Sequence, residues 1–466
     1  VTADLKSGSQ PVPGSTPPRK GLSHLYPWYV TGVLMVAYVL SFLDRQILYL
    51  MVEPIKQDLH ITDFQFALLT GGAFGIFYTL MGLPIGWMAD RYNRKKLIAC
   101  GIAAWSVMTA LCGFAQSYVH LFLARIGVGV GEATLSPSAY SMLSDSFDKE
   151  RLPRAMSIYS FGIFIGAGLA MIIGGEVIAA VQRTPDLILP IVGPMRSWHM
   201  VFIVVGLPGL LVALWVATLK EPARTGVTRS TVGRKSFPFS EVMAFIASRP
   251  LMSVSLFLGS AFFSVLAYSD SWYPELFIRI WGWDVEHSGR INGASSLIAG
   301  PLGLLFAGWY SSRMIARGKV DGCLRLTAWG ALGITLPAVL MPLMPNATAM
   351  ALMLFPFKFF IGFTPVLIPS AIQMVAPNHL RAQLGAVFLF TVGIIGVSLG
   401  PILPAFLSDF VFAGERALPH ALATAAAVIG PVTFVLLWIG LKQYRARYEE
   451  MAQAEIDVAA AGENRP

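Results

Sequence analysis

Long apolar runs, separated by short polar turns, fill almost the whole chain. They centre on residues 28–54, 64–87, 96–115, 118–145, 154–181 and 198–219. After a polar stretch they resume at 250–278, 289–312, 322–343, 347–376, 382–411 and 418–441. About 20 apolar residues carry a helix across a bilayer core, so the pattern predicts an all-α integral membrane protein with six plus six transmembrane helices. The stretch at 220–240 opens Lys-Glu-Pro-Ala-Arg-Thr-Gly and is the only long polar interruption of the interior. It reads as a linker between two bundles. The expected organisation is a disordered tail over 1–26, a six-helix bundle over 27–220, a linker over 221–240, a second bundle over 241–442 and a tail over 443–466.

The turns carry orientation and history. Gly86-Trp87-Met88-Ala89-Asp90-Arg91-Tyr92-Asn93-Arg94-Lys95-Lys96 breaks one apolar run into a dense cationic turn. Such loops stay on the cytoplasmic side. A shortened copy, Gly308-Trp309-Tyr310-Ser311-Ser312-Arg313, follows 222 residues later, and Pro137-Ser138-Ala139 with Met142 recurs as Pro369-Ser370-Ala371 with Met374. Matches at similar spacing in corresponding runs indicate a duplicated half. A membrane, an even helix count with both termini cytoplasmic and a duplicated architecture together point to a secondary transporter.

Composition narrows the field. Of 466 residues, 55% are hydrophobic and 13% charged, with net charge +8; soluble domains carry roughly 25% charged residues. Most of the 34 Lys and Arg fall in segments assigned to the cytoplasm, so the basic balance is a topological signal and no nucleic-acid partner is expected. Cys100, Cys112 and Cys323 lie inside predicted helices without a CxxC pair, as buried small hydrophobes would. Residues 1–26 lack the apolar core of a signal peptide. Gly127, Gly129 and Gly131 miss the spacing, the strand and the Lys of a nucleotide loop. No catalytic triad, metal set or cofactor is expected, and the chain does not read as an enzyme.

Charges inside apolar runs are expensive and mark function. Asp44 and Arg45 in the first helix and Arg125 and Glu132 in the fourth form the strongest group. Arg125 and Glu132 lie on one helix face roughly 10 Å apart, too far to pair without a bridging partner. The four residues sum to zero charge, which suits either a static ion network or a titrating one. Desolvation makes a purely structural network a poor stability device, so Glu132 first and Asp44 second are the proton-carrying candidates. Arg45 and Arg125 then suit an anionic headgroup, since the guanidinium fork offers paired donors.

In the second half, Asp270 and Lys358 are the candidates for substrate contact. Asp270 fits a cavity rim or an interfacial polar cluster. Lys358, among Phe355, Phe357, Phe359 and Phe360, fits a cavity or a snorkelling position. Asp90, Arg91, Arg94 and Asp145 form the expected cytoplasmic gate, with Asp145 placed to pair with Arg91 or Arg94, and Asp90 to cap a helix of the other half. Gly71, Gly72, Gly75, Gly162, Gly166, Gly168, Gly293, Gly300, Gly303, Gly393, Gly396 and Gly400 predict close-packed helix seams.

The turn Gly86-x-x-x-Asp90-Arg91-x-x-Arg94-Lys95 resembles the signature between helices two and three of the major facilitator superfamily, with Asn93 where Gly is frequent. Asp90-Arg91-Tyr92-Asn93-Arg94-Lys95, together with Arg125-Ile126-Gly127-Val128-Gly129-x-Gly131-Glu132-Ala133, is similar to the Spinster family within it. That resemblance implies a major facilitator fold working by alternating access and a proton-coupled lipid transporter. Its substrate would be an amphiphilic, anionic lipid such as a lysophospholipid or sphingoid phosphate. It further implies a bacterial inner-membrane setting with membrane lipids and protons as partners, a monomer, and Glu132, Arg125, Asp44 and Arg45 as coupling and binding residues. A transporter of soluble organic anions or drugs is the alternative.

Overall fold

The computed structural model describes residues 25–148, 151–183, 187–189, 193–224, 239–377, 380–412, 414 and 416–463. Eleven long apolar helices among them can cross a membrane: α1 (Tyr26–Leu50), α2 (Asp63–Ala89), α3 (Arg94–Cys112), α5 (Arg154–Gln182), α6 (Ser197–Ala217), α7 (Pro250–Trp281), α8 (Val285–Ala316), α9 (Gly322–Leu343), α10 (Ala347–Val375), α11 (Gln383–Phe410) and α12 (Ala417–Gln453). The twelfth crossing, α4, is built from two pieces too short to span alone, Tyr118–Glu132 and Leu135–Ser146, broken at Ala133-Thr134. The only strands among the described residues form a small antiparallel hairpin between α5 and α6, β1 (Leu187–Leu189) and β2 (Gly193–Met195), with Leu187 opposite Met195.

Caps fix where several helices begin. Thr62 and Gln65 exchange side-chain and backbone hydrogen bonds at the start of α2, and Ser117, Asp284 and Asn346 accept from the first turns of α4, α8 and α10. Asn93 does the same for α3, accepting from Lys96 N at 3.0 Å with φ of −67°. A side-chain acceptor is useful there and glycine's freedom is not needed. The charged C-terminal segment is helical too. A helix over Leu441–Glu463 prolongs α12, and buried Tyr444 donates to the Ala371 carbonyl at 3.1 Å. The expected tail therefore docks on the second bundle. The N-terminal tail over 1–24 and most of the linker lie outside the described residues.

Duplication is visible in the breaks. α1 ends in a 3₁₀ turn at Ile47–Leu50 and α7 contains one at Ser269–Trp272, again 222 residues on. α10 breaks at Gly362-Phe363 as α4 breaks at Ala133-Thr134, and the two Pro-Ser-Ala copies fall in the second pieces of these helices.

Two seams join the halves. Between α2 and α11, a Cβ added at Gly71 would stand 2.2 Å from the Ser398 carbonyl oxygen, and one at Gly393 would stand 2.3 Å from Thr79 Oγ1. Between α5 and α8, a Cβ at Gly168 would lie 2.4 Å from Leu297 and one at Gly293 2.5 Å from the Gly168 carbonyl. Glycine is needed at both seams because the helix backbones approach this closely. Gly82 and Gly86, further along α2 toward the linker, meet nothing within 4 Å. Ion pairs and hydrogen bonds joining the halves cluster on the side opposite the linker, among them Asp63 with Arg279, Phe64 with Asp409 and Glu176 with Arg290. The bundles therefore close on that side and part toward the linker.

Candidate functional site

At the centre of the first bundle, α1 bridges the two charges of α4. Ser41 Oγ and Arg45 Nε both donate to Glu132 Oε2 at 2.6 Å, while Glu132 Oε1, also buried, has no partner. One α-helical turn spaces Ser41 from Arg45, so both reach the same carboxylate. Arg125 donates only to the Asp44 carbonyl oxygen, at a long 3.5 Å, and its buried Nε is unpartnered. The Phe74 ring of α2 contacts both guanidiniums, 4.8 Å from Arg45 and 5.1 Å from Arg125. Arg45 also stacks on Tyr78 at 4.5 Å. Tyr268 of α7, on the other half, stands across from Arg45 and Tyr78 and is 41% exposed, so this cluster borders the space between the bundles.

The satisfaction of the two buried arginines separates their roles. Arg94, at the start of α3, makes five side-chain hydrogen bonds: to Glu221, to the Ser141 carbonyl and hydroxyl, to Asp145 and to the Pro222 carbonyl. Glu221 also accepts from the backbone N–H groups of Arg94 and Lys95, where a helix N-terminus favours a carboxylate. Arg94 is saturated and structural. Arg125 has one weak bond and a ring contact of about 0.5–2 kcal/mol, against a desolvation cost of several kcal/mol per buried ion. The adjacent Asp44 charge offsets part of this, and the free donors suit an arriving anion.

In the second bundle Lys358 of α10 pairs directly with Asp270 of the α7 3₁₀ turn, and Asp270 Oδ1 stays buried and unpartnered. On its linker side Asp321 accepts from Arg325 at 2.9 Å and Arg445 at 2.7 Å. Burial pushes the Asp321 carboxyl up, but these hydrogen bonds outweigh it and hold it below the usual carboxylate range. On the opposite side the halves are locked by charge. Arg279 of α7 donates to both oxygens of Asp63 at 2.7 and 3.0 Å, and is flanked by Glu275, Glu53 and Lys56. Phe64 N donates to Asp409 of α11 at 2.7 Å, and its ring packs against Phe406 and Phe410.

A family model described as Major Facilitator Superfamily matches residues 34–401. The chain belongs to this superfamily. It is an integral membrane transporter with a small-molecule substrate, not an enzyme, and within the superfamily it is Spinster-like. An MFS-type efflux pump of Mycolicibacterium smegmatis is 27% identical over 91% of this chain and 95% of its own length. Protein spinster homolog 1 of Xenopus tropicalis is 29% identical over 56% of this chain and 47% of its own length, so that match spans about half of each protein. Among solved structures, a bacterial homolog of the human lysosomal transporter Spinster, inward-facing and unoccupied, superposes with a TM-score of 0.72 at 26% identity. It covers 94% of this chain and 98% of that one.

In this facilitator the structure brings together Asp44, Arg45, Arg125 and Glu132, and joins Asp270 to Lys358. It brings Arg94 to Asp145, the pairing expected of the cytoplasmic turn, with both residues in the first bundle. Arg91 is exposed, stacked 4.0 Å from Trp87 and bonded to its carbonyl. The Asp90 side chain lies outside the described residues. Ser41, Glu221 and the Asp63–Arg279 lock escaped the sequence reading. The lock's signal was Glu275 and Arg279 four apart at the end of an apolar run, where charges pass for loop residues.

Proposed function

We propose that this facilitator moves an amphiphilic anionic lipid, a lysophospholipid or sphingoid phosphate, in exchange of state with protons carried by Glu132 and, second, by Asp44. The observation that carries this reading is the Arg45–Glu132 pair beside an under-satisfied Arg125. An anionic headgroup arriving at Arg45 and Arg125 competes with Glu132 for its donors. A buried carboxylate that loses its cation binds a proton more readily, so substrate arrival changes proton occupancy. Lys358 and Asp270 border the same path from the second bundle, where Phe357, Phe359 and Phe360 flank Lys358. Parting of the Asp63–Arg279 lock and closure on the linker side give the alternate state. The excess of Lys and Arg near the linker favours a cytoplasmic setting for that side, and the reading takes the transporter as a monomer in a bacterial inner membrane.

A soluble organic anion is the second reading. A D-galactonate transporter of Escherichia coli is 26% identical over 88% of this chain and 95% of its own length. A sugar-acid carboxylate would meet the same two arginines. Uptake of labelled lysophospholipid and labelled galactonate into proteoliposomes, with and without a pH gradient, separates the readings. Gradient-dependent lipid uptake supports the first, and galactonate uptake alone supports the second. Neither, in well-inserted protein, overturns both.

A further inference from the structure

Two cations share the first-half centre, and the acceptors around them hold each only in part. Arg45 gives Nε to Glu132, and Arg125 makes one long bond to the Asp44 carbonyl oxygen. What the two have in common is a ring. Both guanidiniums lie within cation–π range of buried Phe74 on α2, 4.8 and 5.1 Å from its centroid. Tyr78, one turn on, stacks on Phe74 at 5.6 Å and 16°, and itself carries Arg45 at 4.5 Å. An aromatic face attracts a guanidinium through its negative quadrupole and leaves the in-plane N–H donors free. A carboxylate in the same place would use those donors up. Phe74 therefore offsets the repulsion of two like charges without competing for an arriving anion.

The ring is fixed from two sides. On α4, Gly129 lies one turn past Arg125, and a Cβ there would stand 2.8 Å from the Phe74 carbonyl oxygen and 3.3 Å from the Tyr78 nitrogen. Glycine at this position lets the α2 backbone come close to α4 between Arg125 and Glu132. On the other side, Phe74 belongs to a π-helical stretch of α2, Leu68–Ile76, whose Gly71 and Gly75 face Ser398 of α11. Such wide turns are rare and gather at functional sites. We infer that Phe74 is a positioning residue that holds Arg45 and Arg125 together as one anion-binding unit. The inference rests on the proposed anion-binding role of the two arginines.

The test is equilibrium binding of lysophosphatidate and of D-galactonate to purified protein with altered rings at position 74, since either anion would meet the same arginines. Phe74→Leu keeps an apolar side chain and loses the ring. It should weaken whichever anion the wild type binds by about tenfold, whereas Phe74→Tyr should keep wild-type affinity. Mono-, di- and trifluorophenylalanine at position 74 drain negative charge from the ring face at nearly constant shape. Affinity should fall stepwise along that series, which packing alone would not produce. Equal affinity across the fluorinated series, in protein where Arg125→Ala still weakens binding, overturns the inference and leaves the arginine site standing. Binding indifferent to Arg125→Ala, or no binding of either anion, overturns the arginine reading and the inference with it.

Discussion

At the centre of the first half a base on α1, Arg45, meets an acid on α4, Glu132. At the centre of the second half an acid on α7, Asp270, meets a base on α10, Lys358. The linker-side corners repeat the reversal. Arg94 opens α3 and is held by Glu221 beyond α6, whereas Asp321 precedes α9 and is held by Arg445 in the C-terminal stretch of α12. Duplicated bundles thus kept their joints and inverted the signs placed on them. A joint where two helices must meet in the membrane tolerates a charge only if its partner compensates it, and either polarity does so. The halves differ in satisfaction as well as in sign. The first-half centre holds four ionisable groups, with Arg125 and Glu132 each keeping an unpartnered atom. The second-half centre is a single pair in which Asp270 Oδ1 is likewise unpartnered but the one cation, Lys358, is already paired, and both corners are well bonded. An arriving anion has most to gain at the first-half centre.

That contrast can be broken by substitution. Arg125→Ala should weaken binding of the transported anion by about 30-fold, the worth of a charge-assisted hydrogen bond in a buried site. Unchanged affinity in a binding titration would make Arg125 structural, like Arg94. Removing the second-half pair together, Asp270→Leu with Lys358→Met, should lower affinity only about threefold. It should also leave thermal stability nearly unchanged, since a buried pair exchanged for apolar side chains is often neutral. A large loss of gradient-driven uptake in that double variant would move the coupling site to the second half. The smallest effect belongs to the corner. Asp321→Asn should lower Tm by about 3 °C at neutral pH. Because the native Asp321 carboxyl is held low, its contribution is present above the unfolded value of about 4 and fades as pH falls through the lower native value. The gap between wild type and variant should therefore close in acid.

Much of this architecture was legible in the residues. Twelve apolar runs, one polar linker and a repeated Gly-Trp turn carry the fold because a bilayer allows few alternatives to a helix. Asp44, Arg45, Arg125 and Glu132 stood out because charge within an apolar run is costly, and they do meet. What escaped the sequence is geometry across helices. Arg125 and Glu132 share a face, yet Glu132 is held by Arg45 and also by Ser41, whose hydroxyl is indistinguishable by type from those of the many packing serines. Asp63 and Arg279 lie 216 residues apart at helix ends, where solvated charges are ordinary. The break at Ala133-Thr134 has no proline or glycine at the break itself. The C-terminal segment was read as a tail from its charge, although Tyr-Arg-Ala-Arg-Tyr-Glu-Glu-Met-Ala-Gln-Ala is rich in helix formers.

The most direct test of the central claim is a proton count on substrate binding. Purified protein in weakly buffered detergent solution, with a pH indicator, would be mixed with the transported lipid anion. The account predicts that wild type takes up protons as the anion displaces Glu132 from Arg45, and that Glu132→Gln binds the anion with no proton uptake. Equal proton uptake by the two proteins, or binding without any uptake in wild type, would contradict it.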